Sequence, residues 1–246
     1  MLNAQQVQQG LLPKKRHFER LFTDSFSLYL PQNILSGDFY WLGTKHNMRY
    51  LIIGDCTGHG VSASLTSVLA MSLFEYAIMN KGIKKTTKIL SEVNKRYTES
   101  FKMASGIHDR PWIDLSIICI DDKLKKIFYS SANRKMLFVR NSGDREIFKP
   151  KGRAIGNTEQ NSIDCFETIT IDFENGDQVY LGSDGFQDQF GGPKDKKYGS
   201  PRLHDFLSSN YKLSFADQKE LLENELSTWK GENSQIDDIC IVGVRL

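Results

Sequence analysis

Two long segments of helical spacing stand back to back in this chain, with short strand-like runs on either side. Val61, Leu65, Val68, Leu69, Leu73 and Tyr76 recur at the helical period, and Ile83, Leu90, Val93, Tyr97 and Phe101 do so in the next segment. Apolar runs bounded by turn residues precede them at 22–30, 38–42 and 50–53. After them come "DLSIICID", "KIFYSS", "KMLFVR", "FETITID" and "QVYLGSD", β-branched and aromatic runs separated by turns such as 141–144 and Asn175-Gly176. Two further helical segments, 203–207 and 215–229, lead into a closing strand, "DICIVGVRL". This order predicts an α+β layered domain and not an alternating parallel α/β fold. Several strands are apolar on consecutive residues, so both faces must be covered. Two antiparallel sheets packed on each other, with helices outside, meet that requirement.

Composition narrows the function classes. The 32 Lys and Arg nearly balance the 30 Asp and Glu, giving a formal charge of +2 and no electrostatic case for a nucleic-acid or membrane partner. No apolar segment is expected to approach the roughly 20 residues needed to cross a bilayer. The N-terminus "MLNAQQVQQG" lacks the regions of a signal peptide, and a cytoplasmic location is expected. Cys56, Cys119, Cys165 and Cys240 form no CxxC pair, so they are read as reduced thiols, neither zinc ligands nor a disulfide framework.

The acids carry the chemistry. Asp38 in "SGDFYW", Asp55 in "GDCTGHG", Asp184 in "LGSDGF" and the Asp237-Asp238 pair in "QIDDICIV" each sit where a strand meets a turn, with glycines close by. Any one of them reads plainly as a turn former. Together, if the strand ends converge, they put several carboxylates in one cleft, where they repel unless a divalent cation intervenes. Oxygen-only ligation selects Mg²⁺ or Mn²⁺. The turn "GDCTGHG" ahead of a helix also suggests a phosphate cradle, but it has neither the P-loop ending nor GxGxxG spacing.

The motifs "SGDFYW", "GDCTGHGVSAS", "KGRAIG", "GDQVYLGSDGFQDQFGG" and "DDICIVGVRL", in this order, resemble the metal-dependent protein phosphatases (PPM, protein phosphatase 2C-like), specifically the bacterial SpoIIE-type branch. The resemblance implies a four-layer α-β-β-α sandwich with a two-metal centre that hydrolyses phosphoserine or phosphothreonine. It implies that Asp55 bridges two Mn²⁺ or Mg²⁺ ions, that the Cys56 carbonyl ligates the first, and that Asp184 and Asp237 serve the second. Asp38 is then expected to act on the first ion through water. Spacing leaves Asp237 and Asp238 as alternatives, since they point to opposite sides of a strand; the family's ligand is the first of such a pair.

Neighbouring residues have two readings each. His59 is a candidate proton donor to the leaving oxygen, or a structural residue holding the turn, and the structural reading ranks ahead. Asp114 is a candidate ligand of a third, loosely held ion, or a polar residue opening its strand. Asp188 is expected at a solvated rim. The run "FGGPKDKKYGSPR" is expected to be a mobile loop beside the acids, either reading the substrate protein or simply solvated. Eukaryotic members hold the substrate phosphate with an N-terminal arginine, and neither Arg16 nor Arg20 is matched to that role.

The resemblance also divides the chain into a linker or switch helix at 1–13 and a phosphatase domain at 14–246. It implies an upstream sensor domain, dimerisation through the N-terminal helix, and a phosphorylated STAS-domain protein as substrate in partner switching. The competing reading is a catalytically silent, phosphoprotein-binding output module.

Overall fold

The computed structural model describes residues 2–58, 60–102, 111–157 and 166–246. In chain order the elements begin with α1 (Leu2–Leu11), α2 (Lys15–Glu19), β1 (Ser25–Leu30), β2 (Asp38–Lys45), β3 (Met48–Cys56), α3 (Gly60–Glu75) and α4 (Thr86–Lys102). Then follow β4 (Ile113–Asp121), β5 (Lys126–Ala132), β6 (Met136–Val139), β7 (Arg145–Phe148), β8 (Ile169–Asp172) and β9 (Gln178–Gly182). The chain closes with α5 (Gly185–Asp188), β10 (Phe190–Gly191), β11 (Lys196–Lys197), α6 (Ser200–Ser209), α7 (Phe215–Lys230) and β12 (Ile239–Arg245).

Ten of the strands build two five-stranded antiparallel sheets, β1-β12-β9-β6-β7 and β2-β3-β4-β5-β8. The consecutive apolar residues are explained strand by strand. Along β9, Val179 and Leu181 enter the core shared by the two sheets, whereas Tyr180 between them packs under α6 and α7. Along β12, Cys240, Val242 and Val244 turn inward, and Ile239 and Ile241 turn outward. Each sheet is therefore covered on both faces, α3 and α4 lying on the second sheet as α6 and α7 lie on the first. This is the expected four-layer arrangement.

The outer helix of the second sheet is longer than the sequence reading allowed. α3 runs into a π-helical turn, Tyr76–Asn80, and the 21 residues from Gly60 to Asn80 are long and apolar enough to cross a bilayer by length and composition. Half of that apolar window is buried inside the protein, where Ala63, Ala70, Phe74 and Ala77 join the core. It is a core helix whose apolarity serves the sheet beneath it.

The N-terminal helix is docked onto the domain. Buried Gln8 donates to the Ser36 carbonyl (2.6 Å) and to Ser67 Oγ (3.1 Å), and accepts the Ser36 N–H (3.1 Å). The glycine-rich run after α5 is also anchored: β10 and β11 pair as a hairpin, Gly192 N–H bonds the Trp229 carbonyl at 2.8 Å, and Trp229 Nε1 donates to the Gln189 carbonyl at 3.0 Å. The expected mobile loop is a hairpin fastened to α7.

Candidate active site

Strand register assembles the acids. Asp38 on β2 lies opposite Asp55 on β3, and Asp55 lies opposite Asp114 on β4. Directly opposed residues of antiparallel strands share a face, so three carboxylates stand abreast across one sheet, an arrangement that is destabilising without a counter-charge. From the other sheet, Asp184 follows β9 and caps α5, and Asp237 lies just ahead of β12. Both act electrostatically on Asp55 across the gap. The structure thus brings Asp38, Asp55, Asp114, Asp184 and Asp237 to one end of the paired sheets.

Close backbone contacts make that convergence possible. A Cβ on Gly37 would lie 2.8 Å from the Cys56 carbonyl oxygen, and one on Gly185 would lie 2.0 Å from that of Asp238. Neither position has room for a side chain. The segment leading into Asp38 can therefore lie on the end of β3, and α5 can begin against the start of β12.

Asp38 is the deepest of the group, 2% exposed. Ser183 Oγ donates to its Oδ2 at 2.5 Å, and the Ser36 hydroxyl accepts its N–H at 3.0 Å. Burial first, then the Asp55 charge, raises the Asp38 carboxyl well above the ordinary range, with Ser183 opposing. Asp55 is pushed up to about 8, by burial and by Asp184 and Asp237, against the lowering effect of Arg134. Asp237 is raised by burial and by Asp184 and Asp238.

Asp237 and Asp238 differ in employment. Asp238 is buried, and its two oxygens accept the N–H groups of Gln32 and Gly37, each at 2.7 Å. Asp237 is the more open and feels the charge of Asp184. Burial, with Asp55 and Asp38 nearby, holds the Cys56 thiol above its usual range, so its carbonyl is the better donor toward a hard ion. Cys119 and Cys240 are likewise buried free thiols, while Cys165 lies outside the described residues, as does His59. Asp188 pairs with Lys197 at 2.7 Å on the rim.

One central residue escaped the sequence reading. Arg134, in the turn between β5 and β6, inserts its guanidinium among the acids, with Nη2 on Asp55 and 3.7 Å from Asp114, and Nη1 2.8 Å from Asp184. Asn133, at φ 62°, makes the turn and donates to Asp114 at 2.9 Å. The signal available in sequence was the "SANRK" run: a left-handed-tolerant Asn followed by Arg at the end of a strand. Among the described residues, no three His, Cys, Asp or Glu side chains stand close enough to cage an ion. The donor set is nevertheless right in kind for a hard divalent cation, all oxygen and rich in carboxylate.

Residues 46–246 match the SpoIIE family, described as Stage II sporulation protein E. Over 241 residues, 97% of this chain, the sequence is 24% identical to phosphoserine phosphatase RsbP of Bacillus subtilis (strain 168), and it spans 56% of that protein's length. The SiaA-PP2C domain of Pseudomonas aeruginosa superposes with a TM-score of 0.88 at 25% identity, covering 99% of this chain and 94% of that one. RsbX, solved in complex with magnesium, gives a TM-score of 0.62 at 16% identity, covering 90% of this chain and 94% of that one, which shows the shared fold.

Proposed function

This chain belongs to the SpoIIE family, and on that premise we propose that it is a metal-dependent serine/threonine phosphoprotein phosphatase. One observation carries the reading: three carboxylates abreast on one sheet, faced by Asp184 and Asp237 from the other, with a single guanidinium bonded among them. Asp55, Asp184 and Asp237, with the Cys56 carbonyl, would hold two Mn²⁺ or Mg²⁺ ions, and Asp38 would act behind them. The magnesium in RsbX supports that choice of ion. Bound there, the ions supply an acidified water and neutralise phosphoryl charge.

The chain's own residues prepare that chemistry. Ser183 fixes the carboxyl of Asp38. Asp238 clamps the segment 32–37 through two backbone N–H groups, which sets the height of Asp38 in the cleft. Asp114 is available to a third ion, held meanwhile by Asn133.

The substrate we propose is a phosphorylated signalling protein, of STAS-domain type in a partner-switching circuit. The similarity to RsbP, a phosphoserine phosphatase, supports the phosphoserine part of this reading. The exposed Val7 and Leu11 on α1, 63% and 50% accessible, support a role for that helix in contacting a second copy or an upstream sensor segment.

The test is hydrolysis of p-nitrophenyl phosphate across Mn²⁺ and Mg²⁺ titrations, with EDTA and Asp184→Asn as controls. Turnover that needs the ion and disappears in both controls is expected. A folded, metal-binding protein without turnover would favour the silent output module.

A further inference from the structure

We propose that Arg134 is a built-in counter-cation of the metal centre, occupying it in the metal-free protein and yielding its carboxylates when divalent ions load. The inference rests on the metal-binding reading of Asp55 and Asp184 given above, and deepens it.

Three observations carry it. The guanidinium is bonded to Asp55 and Asp184, two of the three carboxylates proposed to serve as ligands, so an ion and Arg134 cannot have the same oxygens at once. It also reaches the third acid of the row, with Nη2 3.7 Å from Asp114, so one side chain lies among the carboxylates of both sheets. And its fit is incomplete: Arg134 Nε is buried without a hydrogen-bond partner. A buried donor left unsatisfied is unfavourable, which marks this pose as one the site gives up to a better cation.

The surroundings allow the exchange. The Arg134 carbonyl is held by the hydroxyls of Tyr129 (3.0 Å) and Ser131 (2.9 Å), so the backbone stays while the side chain swings. Beside it lies a cavity of about 150 Å³, lined among others by Arg134, Gly182, Gln187 and Ser200, with room and polar atoms for a displaced guanidinium. Without any cation, the row of aspartates would repel; with Arg134 the empty site stays folded, and metal affinity is lowered by the work of displacing it.

The experiment is calorimetric titration of Mn²⁺ into EDTA-stripped, dialysed protein, for wild type, Arg134→Met, Arg134→Lys and Asp184→Asn, with thermal unfolding of each metal-free form. Arg134→Met should bind Mn²⁺ about tenfold tighter or more, yet melt lower than wild type when metal-free. Arg134→Lys should fall between, because an ammonium keeps the charge but not the forked geometry. A purely structural arginine would move the melting temperature without tightening the ion, so unchanged or weaker binding by a folded Arg134→Met overturns the proposal. If that variant does not fold, the arginine Nε–H signals of wild type, followed by NMR during Mg²⁺ addition, decide: one signal should move with ion saturation, and no movement overturns the proposal. Wild type that binds no ion, like Asp184→Asn, would overturn the metal reading and this inference with it; wild type that binds while Arg134→Met gains nothing overturns this inference alone.

Discussion

Asp238 accepts the backbone N–H groups of Gln32 and Gly37 at 2.7 Å each. Its neighbour Asp237 faces the charge of Asp184. Two adjacent aspartates thus do different work, one holding a loop and the other facing Asp184.

Asp238→Ala should lower the stability of the metal-free protein by on the order of 2–3 kcal/mol, since a buried and a part-buried N–H group lose their acceptor. Asp237→Asn should leave urea unfolding in EDTA nearly unchanged and abolish tight Mn²⁺ binding. The reverse pattern in paired unfolding and metal titrations would exchange the two roles.

The pH dependence of the metal-free protein should run against the habit of salt-bridged carboxylates. Asp55 titrates near 8 in the fold against an ordinary 3.8, so the folded state holds its proton more tightly. That contribution is fully present below the ordinary value and is lost as pH rises toward 8. Asp38 and Asp237 are shifted in the same direction. Urea midpoints in EDTA should therefore fall between pH 5 and 8, and Mn²⁺ loading at pH 7 should release protons, measurable by calorimetry in buffers of different ionisation enthalpy. A midpoint that rises across that range would contradict the assignment.

Gln8→Ala should destabilise the protein by about 1–3 kcal/mol, because the Ser36 N–H and carbonyl lose their buried partner. Amide hydrogen exchange at Gly37 and Asp38 should accelerate with it. Protection left intact at both amides would show that α1 does not brace this segment.

Phe215→Ala should cost about 3–5 kcal/mol, as a fully buried ring in edge contact with Phe26 and Tyr180 is removed. The folded fraction should keep its Mn²⁺ affinity, since Phe215 packs from α7 onto the outer face of the first sheet and not between the sheets. Equal losses of stability and ion affinity would refute that separation.

How much of this was legible in sequence depended on the period of each signal. β3, β4, β9 and β12 announced themselves by consecutive apolar residues, and α3 and α4 by helical spacing. β7 did not, because three of its four residues are exposed on a sheet edge, and the two-residue strands β10 and β11 are too short to show any alternation. The acids were found from turn chemistry, yet the alignment of Asp38, Asp55 and Asp114 is a property of register between strands distant in sequence. Arg134 is the clearest omission: the "SANRK" run signals a turn carrying an arginine, but not that this turn folds back against the start of β4. The backbone bonds that occupy Asp238 likewise depend on the positions of Gln32 and Gly37, some 200 residues upstream.

Ser183 has a second consequence. Its hydroxyl reaches from one sheet to Asp38 on the other, and its backbone N–H and Oγ are both bonded to Cys240 on β12. Between sheets packed largely through apolar side chains, which tolerate sliding, this polar joint acts as an alignment pin. A shift of the sheets by one residue would bury Asp38 against apolar side chains and strand the hydroxyl. The bond that positions Asp38 is thus also the check that the two halves of the sandwich have closed in the correct position.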